Sequence, residues 1–238
     1  MSHLSNASFA VPGLPVPFWK RALDLLLIFL ALPLLLPLAL VIAGLIKLRS
    51  PGPLLFTQTR VGRGGQPFLC YKFRTMKPDA CSSGHARHLA SLMAADVPMT
   101  KLDCAGDPRI IPGGRWLRSA GLDELPQLFN VLKGEMSIVG PRPCLPYEAA
   151  LYTDRHRQRL VVLPGLTGLW QVSGKNNTSF EEMIDLDVDY ARRMSLALDF
   201  SIVLRTFGVL FRQLRETLGR PRQPVLTNPP VSMQDHTC

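Results

Sequence analysis

The sequence has no C-x-x-C pair. Its five cysteines, Cys70, Cys81, Cys104, Cys144 and Cys238, are odd in number and scattered, which argues against both a zinc knuckle and a disulfide framework. They read as reduced thiols of a cytosol-facing protein. No internal repeat is present, which excludes a solenoid or propeller. A P-loop is missing too: the basic loop Arg60-Val61-Gly62-Arg63-Gly64-Gly65 has glycines to cradle phosphate but not the Gly-Lys-Ser/Thr ending. His85 and His88 lie in a polar, glycine- and serine-rich stretch and read as solvated loop rather than metal ligands. Acidic residues are outnumbered, 18 against 27 Lys and Arg, for a net charge of +9. Such a balance points to anionic partners: nucleic acid, acidic lipid or nucleotide phosphates.

What is there begins with an apolar run. Ala22 to Ile46 is apolar except for Asp24, with Lys20 and Arg21 before it and Lys47 and Arg49 after it. Its length suffices to cross a bilayer. Pro33 and Pro37 fall in the middle, where proline kinks a helix, and basic flanks would hold both ends on the cytoplasmic side. A helix that enters, bends at the prolines and returns satisfies both facts; a kinked spanning helix is the competing reading. The missing small-residue cleavage site disfavours a secretory leader. The near-absence of polar residues from every face disfavours a buried soluble helix.

The remaining organisation is α+β. Residues 1–17, with three prolines, read as a flexible lead. A re-entrant segment over 18–49, a main domain over 50–219 and a disordered tail over 220–238 follow. Ser50-Pro51-Gly52-Pro53 is a sharp turn. Leu54 to Gln58 reads as a strand, and so does Phe68 to Met76, with Lys72 and Arg74 on one face. Residues 77–107 look like a polar insertion with a short helix near His85 to Ala95. Leu163 to Val172 reads as a turn leading into a strand, and Ser173 to Asn177 as a second turn. Ser179 and Glu182 form a capping box opening a helix to about Met194. An amphipathic helix from about Leu198 to Leu218 fits a membrane interface and a core-packed helix nearly equally.

The chemistry concentrates in Leu122-Asp123-Glu124-Leu125-Pro126-Gln127 and Gly134-Glu135-Met136-Ser137-Ile138-Val139-Gly140-Pro141-Arg142-Pro143. Pro126 to Lys133 has helical spacing with proline in the first turn and Gly134 as its stop. Asp123 and Glu124 then sit at a helix N-terminus, which favours carboxylates and anionic ligands. Taken alone, acids there are ordinary caps. In this setting an ionised Asp could also attack phosphorus, and its neighbour could hold Mg²⁺. Arg115 and Arg118 lie just upstream, with guanidinium forks suited to carboxylate or phosphate.

With these residues in view, the chain resembles the bacterial sugar transferase family, the monotopic phosphoglycosyl transferases acting on polyprenol phosphate. The likeness covers roughly Trp19 to Arg212 and rests on motifs in order. They are Lys20-Arg21-x-x-Asp24, Phe56-Thr57-Gln58-x-x-Arg60-x-Gly62, Tyr71 to Met76, Asp107-Pro108-Arg109, Leu122 to Gln127, Gly134 to Pro143, and Pro164 to Asn176. The chain departs from the family pattern at Leu36 and Gly121, where Ser is common, and at Lys175, where Arg is common.

The resemblance implies a re-entrant helix broken at Pro37, and a catalytic domain on the cytoplasmic face of a bacterial inner membrane. It implies transfer of a sugar 1-phosphate from a UDP-sugar to undecaprenyl phosphate, with UMP released. Asp123 would be the nucleophile and Glu124 the Mg²⁺ ligand, with Arg118 and Arg142 on the phosphates and Lys72, Arg74 and Lys175 in support. Membrane lipids and a homo-oligomer are among the partners it admits; a nucleic acid is not, given the apolar segment. Galactose, glucose and N-acetylated sugars all fit. A UDP-releasing glycosyltransferase and an inactive membrane scaffold are the alternative readings.

Overall fold

The computed structural model describes residues 10–77, 98, 109–174 and 178–219. Lys175, most of the expected insertion over 77–107 and the tail over 220–238 lie outside the described residues. Helix α1, Phe18–Arg49, is long and apolar enough to cross a membrane and holds Pro33 and Pro37 inside it. One face is buried near each end, and the middle is exposed. Lys20, Asp24 and Ile28 are buried at one end and Ile42 and Ile46 at the other, while Phe29, Leu30, Leu34, Leu36 and Leu40 are exposed between them. Ile28 packs with Val131 and Met136. Ile42 and Ile46 pack with Phe73, Ile111 and Leu117.

A turn at Ser50–Pro53 leads into the antiparallel hairpin of β1, Leu55–Val61, and β2, Pro67–Phe73, paired from Leu55↔Phe73 to Val61↔Pro67. The glycine-rich loop is the bend of this hairpin. Gly64 and Gly65 take positive φ there, and the Gly62 N–H donates to the Gln66 carbonyl at 2.8 Å. The loop is therefore committed to turning the chain, and Arg63 reaches the Leu14 carbonyl at 2.8 Å. That contact, with Leu14 N–H donating to Val161 O at 2.7 Å and Val11 packed on the main core, pins the lead from Ala10 onward. The expected looseness of residues 1–17 does not extend to this part.

Helix α2, Gly114–Ser119, precedes a 3₁₀ helix over Leu122–Gln127, which runs directly into α3, Leu128–Lys133. The helix expected from Pro126 thus begins earlier and tighter. Gly121, at φ +69°, starts it, and Gly134, at φ +79°, ends α3. β3, Ser137–Val139, pairs in parallel with β4, Gly165–Thr167; the short helices α4, Pro146–Ala150, and α5, Asp154–Arg157, and a 3₁₀ turn, Gln158–Val161, connect them.

The strand expected up to Val172 is a correction. β4 stops at Thr167, and α6, Leu169–Ser173, follows. A short apolar run between glycines has no period that separates strand from helix, and here Trp170 turns inward onto Cys144, Phe180 and Ile184. α7, Phe180–Arg193, opens on the anticipated capping box of Ser179 and Glu182. α8, Leu196–Gly219, completes the described chain. The result is a mixed α+β body with two small sheets and one long N-terminal apolar helix.

Candidate active site

The acidic pair lies in the first turn of the 3₁₀ helix, whose Glu124 N–H donates to the Gly121 carbonyl at 3.2 Å. Across from it, Lys72 on β2 donates its Nζ to Glu124 Oε1 at 2.6 Å. β2 is tied to α3, the continuation of the 3₁₀ helix, by Asn130, which is completely buried. Its Oδ1 accepts from Tyr71 N–H at 3.2 Å, and its Nδ2 donates to Leu69 O at 2.6 Å and Glu135 Oε2 at 2.7 Å. Asn130 was not among the residues singled out from sequence. Its signal there is a polar residue amid the apolar spacing of Leu128, Val131 and Leu132.

Several charges act on the buried Cys70 thiol. Burial pushes it up and Glu124 adds to that, while Lys72, Arg60 and Arg142 pull it down. From the sequence, Arg60 reads only as the start of the glycine-rich loop and a member of a family motif. It is 7% exposed, and it donates to Pro143 O at 2.9 Å and to Gln58 Oε1 at 2.8 Å. Burial and the neighbouring Arg142 charge push its pKa down, and Glu148 opposes them. Arg142 is half-buried, and no described carboxylate lies within ion-pair distance of it.

The other expected residues fall differently. Arg118, half-buried at the end of α2, stands three residues before the Gly121 turn into the acidic helix. Arg74 is not gathered with Lys72. It lies past the end of β2, is 4% exposed, and donates to the Pro51 and Ser50 carbonyls at 2.6 and 2.8 Å. It clamps the turn after α1 instead of facing the acids.

Adjacent carboxylates with a lysine paired to one of them can bind a metal ion or handle a phosphate group. Oxygen donors also suit Mg²⁺. Asp123 and Glu124 supply only two carboxylates, and the described residues contain no cluster of three His, Cys, Asp or Glu able to hold a metal. A magnesium held there would need oxygen ligands beyond these two carboxylates, one of which already accepts from Lys72.

A family model described as bacterial sugar transferase matches residues 16–213. The exopolysaccharide production protein ExoY of Sinorhizobium fredii is 41% identical over 187 residues, covering 79% of this chain and 83% of that protein. A UDP-glucose:undecaprenyl-phosphate glucose-1-phosphate transferase of Caulobacter vibrioides is 43% identical over 204 residues, covering 82% and 71%. The undecaprenyl-phosphate galactose phosphotransferase of Salmonella typhimurium is 38% identical over 202 residues. There the match covers 82% of this chain but only 41% of the relative.

Proposed function

The chain belongs to the bacterial sugar transferase family, and from that premise we propose that it transfers a sugar 1-phosphate from a UDP-sugar to a polyprenol phosphate, releasing UMP. The observation that carries this reading is the Asp123–Glu124 pair, braced by Lys72 at 2.6 Å, on the same body that buries both ends of an apolar helix. Named relatives transfer galactose or glucose 1-phosphate to undecaprenyl phosphate. A reaction joining a water-soluble nucleotide to a lipid needs its acids at the bilayer surface.

In the proposed first step, a carboxylate oxygen of Asp123 attacks the phosphorus bearing the sugar. The bond from that phosphorus to the UMP oxygen breaks, and UMP leaves with the electron pair. A phosphate oxygen of the polyprenol phosphate then attacks the aspartyl-phosphosugar and frees Asp123. Splitting one displacement into two is covalent catalysis, with ping-pong kinetics as its signature. Arg142 and Arg118 would bind diphosphate oxygens through their planar forks. Mg²⁺, held by Glu124, would neutralise phosphate charge as Asp123 approaches.

For the membrane, α1 would enter and return at Pro33 and Pro37, leaving the catalytic body on the cytoplasmic face. Basic residues at both ends support this. Burial of both helix ends on one body, with an exposed apolar middle, supports it as well. α8 offers Leu196, Phe200, Leu204, Phe207 and Phe211 as an exposed apolar stripe for the interface, and the surplus of 27 basic over 18 acidic residues would attract anionic lipid.

The test is incubation of detergent-solubilised protein with Mg²⁺, undecaprenyl phosphate and a panel of UDP-sugars, with identification of the released nucleotide. UMP is expected from at least one sugar, and Asp123→Asn should abolish both turnover and a trapped phosphosugar adduct. UDP release, or unchanged turnover in Asp123→Asn, would sink the covalent scheme.

A further inference from the structure

We infer that the buried Arg159–Asp187 pair positions Arg142 for the donor diphosphate. This rests on the proposed role of Arg142. Four consecutive carbonyls of the turn that carries it are each held by a donor from elsewhere in the fold. Pro141 O accepts from Gly165 N at 2.8 Å, and Cys144 O from Val61 N at 2.9 Å. Arg142 O accepts from Arg159 Nη2 at 2.8 Å, and Pro143 O from Arg60 Nη1 at 2.9 Å. Pro141 and Pro143 bracket the arginine and fix φ on either side. A surface turn would ordinarily leave such carbonyls to water. Here the backbone under Arg142 is immobilised and only its side chain is left to move.

The close approach beneath the turn has the same consequence. A Cβ at Gly140, Gly165 or Gly168 would collide with backbone of the facing segment, so glycine at these positions lets β3 and β4 lie against the turn. Arg159 then takes the place no glycine or backbone amide fills. Its Nη1 donates to Tyr152 OH at 2.7 Å, and its Nη2 to Asp187 Oδ2 at 2.5 Å as well as to Arg142 O. Both side chains of the pair are 1% exposed. A buried ion pair is a poor source of stability compared with apolar packing. A planar fork that addresses three partners in fixed directions is a good source of geometry. Asp187 supplies the counter-charge that lets a guanidinium lie under the turn. Held in this way, Arg142 sits on a turn whose next carbonyl, Pro143 O, is gripped by Arg60 at 2.9 Å, so two arginines serve one turn.

The experiment is a double-mutant cycle in the full-length protein in detergent, reading kcat/KM for UMP release, UMP affinity by calorimetry and Tm. Arg142→Ala should lower kcat/KM by about 100-fold. Arg159→Lys keeps the charge facing Asp187 but loses the fork, and should lower kcat/KM on the order of tenfold through a displaced Arg142. The double variant should fall within about twofold of Arg142→Ala alone, because Arg159 acts through a side chain already gone. UMP affinity should follow the same pattern. A loss from Arg159→Lys that multiplies fully onto Arg142→Ala would overturn the positioning role and leave the function standing. Normal kinetics and UMP affinity in Arg142→Ala would remove the role of Arg142 itself, and the inference with it. Tyr152→Phe deletes one bond to Arg159 while keeping its ion pair. If Arg159→Lys fails to fold, Tyr152→Phe takes its place in the cycle. Its loss should be smaller and should vanish in the Arg142→Ala background; a loss that persists there would overturn the positioning role in the same way.

Discussion

Lys72 and Glu124 stand 52 positions apart in the chain and 2.6 Å apart in space, with side chains 25% and 36% exposed. An ion pair this open to water contributes no more than about 1 kcal/mol. Lys72→Ala should therefore cost little stability, while its loss beside the acids should lower kcat/KM by at least about tenfold. Melting and turnover measured on one preparation check this; a collapsed Tm with intact turnover would make Lys72 a brace only. Arg74 shows why its partner could not be read the same way. Alternation puts residues i and i+2 on one face only while the strand lasts, and β2 ends at Phe73. One residue further, the chain bends toward the turn after α1, and the arginine is used on carbonyls.

At the scale of elements, local chemistry was the better guide. The capping box at Ser179 and the glycine stop at Gly134 act within a few residues, and both stand where the sequence placed them. Gly134 has φ +79° and open space where a Cβ would go. Gly134→Ala thus meets no clash, only the left-handed backbone penalty of roughly 1–2 kcal/mol. Denaturant unfolding should show that loss; a neutral result would mean that the turn relaxes. α6 was hidden because Leu169, Trp170 and Val172 after a glycine serve a strand or a helix equally, and the burial of Trp170 in one cluster with Phe180 and Ile184 decides between them. The pairing of Asn130 with the β2 backbone was equally hidden, since nothing near Asn130 in the chain names its partner.

The whole molecule is tied to its apolar helix by polar bonds as well as by packing. Lys20 Nζ donates to Asp199 Oδ2 at 2.5 Å, to Tyr190 OH at 2.9 Å and to Val139 O at 2.6 Å. Arg21 bonds the carbonyls of Val131 and Leu132 at the end of α3. Asp24 accepts from Ser137 Oγ at 2.8 Å and Ile138 N at 2.9 Å. Asp199 is fully buried, so Lys20→Met strands a carboxylate and should cost about 3–5 kcal/mol. Lys20→Met with Asp199→Leu removes that stranded carboxylate, leaving Asp24 with its bonds to Ser137 and Ile138, and should recover part of that loss. Thermal unfolding in detergent compares the two, and equal destabilisation would show that packing, not the stranded charge, sets the cost.

By itself, the sequence determined the apolar helix with its basic flanks, the caps, the acidic pair and the family, because each is written in residues close together in the chain. Only the tertiary structure decided that Lys72 faces Glu124, that Arg74 does not, and that Arg159 meets Asp187 beneath Arg142. Those partners lie tens of residues apart. Which charge meets which is set by how strands and helices pack around a shared core, and no local pattern carries that information.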